Sequence, residues 1–251
     1  MLEIRDLHIA YPKSASEAVR GVSFTLDQGR MAGLVGESGS GKTTIVTAVL
    51  GLLPEGSHLS GSILFEERNL LSLPEDELRR LRWKEIALVP QGAQNSFTPV
   101  KTIGSHIEEV LRVHLGVTGT AARDRAAELL EQVELDAKIA KRYPHELSGG
   151  QKQRAAIALA LACEPKLLLA DEPTTALDVI TQAGVLKLLM RLKAGKDLTV
   201  LLVTHDLPLA SSVCDELLVM KDGELVERGT PQKLIHAPEQ PYTRRLVEAI
   251  L

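Results

Sequence analysis

The sequence predicts an α/β fold with a core of parallel strands covered by helices, an antiparallel β edge near the start, and an inserted helical lobe. Three observations point there. Leu167-Leu168-Leu169-Ala170 and Thr199-Val200-Leu201-Leu202-Val203 are continuous apolar runs, as expected for parallel strands covered on both faces. The opening residues alternate instead, Leu2 and Ile4, then Val22, Phe24 and Leu26, which is the period-two pattern of half-buried antiparallel strands. Between these regions, residues 76–135 are helix-rich, and Ala126, Leu129, Leu130 and Val133 are spaced to give one apolar face.

At 251 residues the chain is long enough for one large α/β domain or one domain with an inserted lobe. Hydrophobic content of 44% and charged content of 25% are ordinary for a globular protein, and a net charge of −4 argues against a nucleic-acid partner. No apolar stretch approaches the ~20 residues needed to cross a bilayer, and Met1-Leu2-Glu3-Ile4-Arg5-Asp6 has no signal-peptide core. The expected location is the cytoplasm, with docking on a membrane protein. Cys163 and Cys214 fit neither a metal spacing nor a disulfide framework, and are expected to be reduced and buried.

In order along the chain, Tyr11 and Pro12 fall in the connection between the first strands. Met31-Ala32-Gly33-Leu34-Val35 reads as a buried strand, Gly36-Glu37-Ser38-Gly39-Ser40-Gly41-Lys42-Thr43 follows, and Thr43 continues as helix to Leu50 without a proline. This is the context of a phosphate-binding loop. Glycines at 36, 39 and 41 let the backbone wrap an anion, and successive N–H groups with the positive end of a helix favour phosphate oxygens. The pattern implies a bound nucleoside triphosphate, with Lys42 neutralising its β and γ phosphates and Thr43 offering a hydroxyl to Mg²⁺.

Ile86-Ala87-Leu88-Val89-Pro90 is strand-like and leads to Gln91, placed to touch Mg²⁺ or the lytic water. The helical lobe runs to Leu147, with a break at Pro144. A further helix starts near Gly150 and continues through Ala162 until Pro165 stops it. The strand from Leu167 ends in Asp171-Glu172. In a parallel sheet, carboxyl ends of strands face one crevice, which places Asp171 to reach Mg²⁺ and Glu172 to polarise an attacking water. The strand from Thr199 leads through Thr204 to His205, placed to bond the γ-phosphate and sense its loss. Leu217-Leu218-Val219-Met220, then Lys221-Asp222-Gly223-Glu224 and Leu225-Val226, reads as a hairpin with a glycine turn. Leu147-Ser148-Gly149-Gly150-Gln151 opens a helix with a good N-cap and two glycines. It reads equally as a simple cap and turn or as a second anion-binding surface.

The order of these pieces, completed by Leu169-Ala170-Asp171-Glu172-Pro173 and Ala176-Leu177-Asp178, resembles the nucleotide-binding subunit of an ATP-binding-cassette (ABC) transporter over essentially the whole chain. The resemblance implies a P-loop NTPase core at residues 1–75 and 151–251, with a helical subdomain carrying the signature motif at 76–150. It implies ATP and Mg²⁺ as ligands. Tyr11 would stack on adenine, and Gly36, Glu37, Ser38, Gly39, Ser40, Gly41, Lys42, Thr43 and Thr44 would hold ATP. Glu172 would be the general base, His205 the switch histidine, and Lys42 and Gln91 further catalytic groups. Thr43, Gln91 and Asp171 would serve the metal. Two such subunits would dimerise head to tail, so that Ser148, Gly149, Gly150 and Gln151 meet the ATP held by the partner, with Asp178 linking the two sites.

Two stretches narrow the resemblance to the oligopeptide, dipeptide and nickel importer group. They are Pro90-Gln91-Gly92-Ala93-Gln94-Asn95-Ser96-Phe97-Thr98-Pro99-Val100 and Gln240-Pro241-Tyr242-Thr243-Arg244-Arg245-Leu246-Val247-Glu248-Ala249-Ile250. Many peptide-importer ATPases run past such a tail into a cysteine-bearing extension, whereas here the sequence stops at Leu251 with no cysteine after Cys214. That departure shifts weight toward nickel or a metal chelate as cargo, with dipeptides and oligopeptides kept as the alternative. The implied partners are a second, related but non-identical ABC ATPase, with a homodimer as the alternative, and two permease subunits. An extracytoplasmic solute-binding protein would act indirectly. The implied location is peripheral, on the cytoplasmic face of the cell membrane. The rival readings are a soluble non-transport ABC ATPase, an exporter ATPase, and a nucleotide switch that hardly turns ATP over.

Overall fold

The computed structural model describes residues 1–14 and 16–248, so Ala249 and Ile250 of the tail motif lie outside the described residues. In chain order the first elements are β1 (Leu2–Ala10), β2 (Val19–Leu26), β3 (Met31–Val35), α1 (Lys42–Val49), β4 (His58–Phe65), β5 (Arg68–Asn69) and α2 (Glu75–Leu81). Next come β6 (Ile86–Val89), α3 (Ile103–Leu115), α4 (Gly119–Gln132), α5 (Gly149–Ala160), β7 (Leu167–Asp171) and α6 (Val179–Lys196). The last are β8 (Thr199–Thr204), α7 (Leu207–Val213), β9 (Glu216–Lys221), β10 (Glu224–Gly229), α8 (Pro231–His236) and α9 (Pro241–Glu248). The chain forms two compact units, Met1–Arg79 with Thr199–Leu251, and Arg80–Leu198.

In the first unit, β1 runs antiparallel to β2 on one side and to β4 on the other, with Ile4 opposite Phe24 and Ile63. The alternation of the sequence survives as a buried row of Leu2, Ile4, Leu7 and Ile9. β4 and β5 have no such signal, because His58-Leu59-Ser60-Gly61-Ser62 is mostly polar. Pairing with β1 makes β4 a strand, and Gly61 is needed there: a Cβ would stand 2.2 Å from the Asp6 carbonyl oxygen.

The core strand of this unit is β3, buried at all five positions and flanked by β8 and β9, both parallel to it. Such a strand has no polar face, hence its unbroken apolar run. β9 returns as antiparallel β10 through Asp222-Gly223, both in the left-handed region at φ 47° and 86°. That turn suits the right-handed twist of a hairpin. Arg228 forks the Glu216 carboxylate at 2.7 and 2.9 Å and also reaches the Thr25 carbonyl at 3.2 Å, tying β10 to β9 and β2. α7 is capped by Asp206 and α8 by Thr230, each with proline in the first turn.

In the second unit, β6 and β7 are parallel, with Val89 opposite Ala170. α3 is capped by Thr102 and ends at Gly116 in the left-handed conformation, and α4 buries Ala122, Ala126, Leu129 and Leu130 on one face. α5 stops at Ala160, earlier than Pro165 demands, because residues 161–163 leave the helix as a turn. Glu134 pairs with Arg154 on α5 and Arg191 on α6, so one carboxylate ties both helices to the end of α4. The hydrogen bond from Arg154, then its charge and the bonds of Arg191, outweigh burial and hold Glu134 below the usual carboxylate range. Cys163 and Cys214 are both buried, and burial pushes the Cys163 thiol up to about 11, so it stays protonated at neutral pH. Among the described residues, no helix is long and apolar enough to cross a membrane.

Candidate nucleotide site

In the first unit, Val35 pairs with Thr204, so Gly36 and His205 leave the same end of neighbouring strands. The loop after β3 is tightly seated. A Cβ on Gly36 would lie 2.2 Å from the Met220 carbonyl oxygen, and one on Gly41 would lie 2.5 Å from the Ala18 carbonyl oxygen. Gly39 has open space around it but φ is +83°, a conformation that side chains resist. Gly41 caps α1 with no side-chain hydrogen bond, so the positive end of the helix faces into the loop.

Lys42 is almost fully buried and donates to the carbonyls of Gly36 at 2.8 Å and Glu37 at 2.7 Å, and to Ser40 Oγ at 3.2 Å. Its charge therefore already sits at the loop's centre. Thr43 is exposed in the first turn of α1, while Thr44 is buried and shares a 3.0 Å hydrogen bond with the Tyr11 hydroxyl. That bond ties the strand-end aromatic to the helix that follows the loop. Ser38 and His205 are exposed. The cradle, the lysine and the uncapped helix start fit a polyphosphate.

In the second unit, Gln91 follows β6 and Asp171-Glu172 close β7, and the parallel register brings them to one end. Gln91 Nε2 donates to Glu172 Oε2 at 2.9 Å, and Thr175 Oγ1 donates to the same oxygen at 2.9 Å. Glu172 itself is held at φ 45°, a costly conformation for a residue with a side chain. Asp171 is buried at 4% exposure. Asp171 and the Gln91 amide offer the hard oxygens that Mg²⁺ takes, as does the Thr43 hydroxyl in the first unit.

Ser148 caps α5 reciprocally: its hydroxyl accepts from Gln151 N–H at 3.3 Å, and Gln151 Oε1 accepts from Ser148 N–H at 3.0 Å. This leaves Ser148 and Gly149 exposed. Asp178 caps α6, accepting from Thr181 Oγ1 at 2.6 Å and Thr181 N–H at 3.0 Å. Those two bonds hold its carboxyl below the ordinary value. A Cβ on Gly150 would lie 2.6 Å from Thr181 Cγ2, so the start of α5 packs directly on the Asp178 cap. Thr175 and Thr181 belong to none of the motifs read in the sequence, although each bonds a residue only three positions back, and an Asp followed three residues later by Thr at a helix start was the local signal for the second.

The chain is similar to known proteins throughout. The ABC transporter family pattern matches residues 19–175. The peptidoglycan transport ATP-binding protein YejF of Agrobacterium fabrum is 46% identical over 99% of this chain, which spans only 47% of that protein. The oligopeptide transport ATP-binding protein OppD of Bacillus subtilis is 43% identical over 100% of this chain and 72% of its own length. The metal-staphylopine import system ATP-binding protein CntD of Staphylococcus aureus is 39% identical over 98% of this chain and 92% of its own. Among solved structures, the ATP-binding cassette MJ0796, a dimer in a post-hydrolysis state with ADP and Pi, superposes with TM-score 0.81 at 31% identity, covering 92% of this chain and 99% of that one. With that pattern matching more than half of the chain and these relatives matching nearly its whole length, the chain belongs to the ABC transporter family and is an ABC ATPase.

Proposed function

We propose that the chain is the ATP-hydrolysing subunit of a membrane importer for peptides or metal chelates, driven by ATP-dependent closure of an ATPase dimer. The observation that carries the hydrolytic role is the Glu172 carboxylate gripped by Gln91 and Thr175 at one oxygen. A carboxylate oriented in this way is placed to take a proton from water. Tyr11, the loop from Gly36 to Thr43, and Thr44 bind ATP. Lys42 holds phosphate charge as it builds in the transition state, Glu172 orients and deprotonates water, and His205 senses the γ-phosphate. Thr43, Gln91 and Asp171 would be the residues to hold Mg²⁺, which would supply further charge neutralisation.

Residues 76–150 serve as the helical subdomain and residues 1–75 with 151–251 as the nucleotide core. Ser148, Gly149, Gly150 and Gln151 act on the ATP of a partner ATPase, with Asp178 beside them. Val179 and Ile180, 80% and 85% exposed next to Asp178, suit burial when two subunits close. The partners are a related second ABC ATPase and two permease subunits, on the cytoplasmic face of the membrane, with a solute-binding protein acting through the permeases. The relatives named for oligopeptide and metal-staphylopine transport support both cargo classes.

Phosphate release from Mg·ATP by the purified chain, compared with the Glu172→Gln variant, tests the enzyme. Stimulation of that rate by peptide or by metal chelate, in the complex pulled down from membranes, tests the cargo. Parent phosphate release no faster than that of the variant removes the hydrolytic reading.

A further inference from the structure

The tail that narrows the resemblance carries a contact no motif explains. Tyr242, on α9 and only 6% exposed, accepts a 3.1 Å hydrogen bond through its hydroxyl from the Glu37 backbone N–H, 205 residues away and inside the phosphate loop. That N–H belongs to the same peptide plane as the Gly36 carbonyl, which accepts from Lys42 at 2.8 Å. One peptide is therefore gripped at both edges, by the lysine on the carbonyl side and by the tyrosine on the amide side.

The tyrosine, its helix and the loop it meets are each held in place. Lys221 Nζ lies 5.4 Å from the centre of its ring. Glu227 on β10 accepts from the N–H groups of Glu239 at 2.8 Å and Gln240 at 3.1 Å, anchoring the start of α9. The β9–β10 turn meanwhile bonds the loop directly, Gly223 N–H to the Ser40 carbonyl at 3.2 Å. Burial pushes the Tyr242 phenol above its ordinary value, so at neutral pH it stays neutral and accepts through a lone pair.

We infer that Tyr242 is a positioning residue for nucleotide binding: it locks the Gly36–Glu37 peptide so that the loop keeps its phosphate-ready shape when Lys42 turns from the loop carbonyls to a phosphate. A peptide freed on its amide side would have to be re-ordered each time ATP binds, and that cost appears as lost affinity. The inference rests on reading residues 36–43 as the phosphate loop.

Tyr242→Phe keeps the ring and its contact with Lys221 and removes only the hydroxyl. In the full chain, KM for ATP and Kd for ADP are expected to rise about three- to tenfold, the scale of one lost hydrogen bond, with kcat within twofold of the parent. Hydrogen exchange gives a readout independent of turnover. In the nucleotide-free parent the Glu37 amide is expected to be protected, and in Tyr242→Phe to exchange about tenfold faster. KM and Kd both within twofold of the parent would show that α9 merely packs there and would overturn the inference. So would a Glu37 amide in the parent that exchanges like an open loop amide. A parent that binds neither ATP nor ADP overturns the phosphate-loop reading itself, an outcome distinct from a parent that binds normally and a variant that matches it.

Discussion

Gln91 and Glu172 lie 81 residues apart in sequence and meet at 2.9 Å, Nε2 to Oε2, where β6 and β7 end side by side. The residue proposed to couple the site to a membrane partner is thus directly bonded to the proposed general base. Any shift of Gln91 alters how one oxygen of Glu172 is held. Glu172→Gln is expected to lower phosphate release by about a hundredfold or more while ATP affinity stays within a few-fold, since a general base supplies roughly that acceleration. Gln91→Ala, which leaves Thr175 as a donor, should cost less. Parallel measurement of phosphate release and ATP titration for both variants checks the ranking, and equal losses would give the proposed Mg²⁺ contact of Gln91 as much weight as the base itself.

The reciprocal cap of Ser148 and Gln151 keeps the start of α5 exposed and rigid. Ser148→Arg loses the cap and puts a large cation where a partner's phosphates are expected. ATP-dependent dimerisation of the Glu172→Gln background, followed by size-exclusion chromatography, should vanish on adding this change, with monomer nucleotide affinity unchanged. A dimer that still forms would remove the signature from the interface.

Two glycines of the loop separate space from conformation. Gly36→Ala drives a Cβ against the Met220 carbonyl, a backbone atom that cannot swing away, and should cost at least tenfold in ATP affinity together with a clear drop in melting temperature. Gly39→Ala meets no atom within 4 Å and bears only the penalty of a positive φ, about 1 kcal/mol. Melting curves and nucleotide titrations of the pair should therefore differ, and a milder effect at Gly36 would show that the β9–β10 turn yields.

Acid should loosen α9. Burial alone would raise the Glu227 pKa, but the Thr243 side chain, then the amides of Glu239 and Gln240 and the charge of Lys233, outweigh it and hold the carboxyl below its ordinary value. A carboxylate with a lowered folded pKa contributes stability that is complete above its unfolded value and is lost as pH falls through the folded one. The parent should thus melt above Glu227→Gln at pH 7, with the gap narrowing below about pH 4. A gap independent of pH would assign Glu227 a purely steric role.

How much of this was readable varies with distance along the chain. The phosphate loop, Asp171-Glu172 and Ser148 to Gln151 are contiguous strings, and their chemistry follows from residue type and from a neighbouring strand or helix. The hairpin turn was readable for the same reason, Asp222-Gly223 being a local conformational demand. β4 was not, since a strand with polar and glycine residues exists only because β1 offers an edge. Met220 was silent because its contact with Gly36 is made across strands, whereas Thr175 and Thr181 bond residues only three positions back, Glu172 and Asp178, a local pattern that no motif flagged.

By itself the order of residues determined the α/β class, the binding loop and the identity of the acid pair, because each rests on short-range periodicity or on backbone freedom at particular glycines. The folded chain alone decided that Gln91 grips Glu172, that Gly150 rests on the Asp178 cap, and that Tyr242 reaches back to Glu37. Those contacts depend on strand register and helix placement, which are set by the whole set of buried side chains and not by any local run.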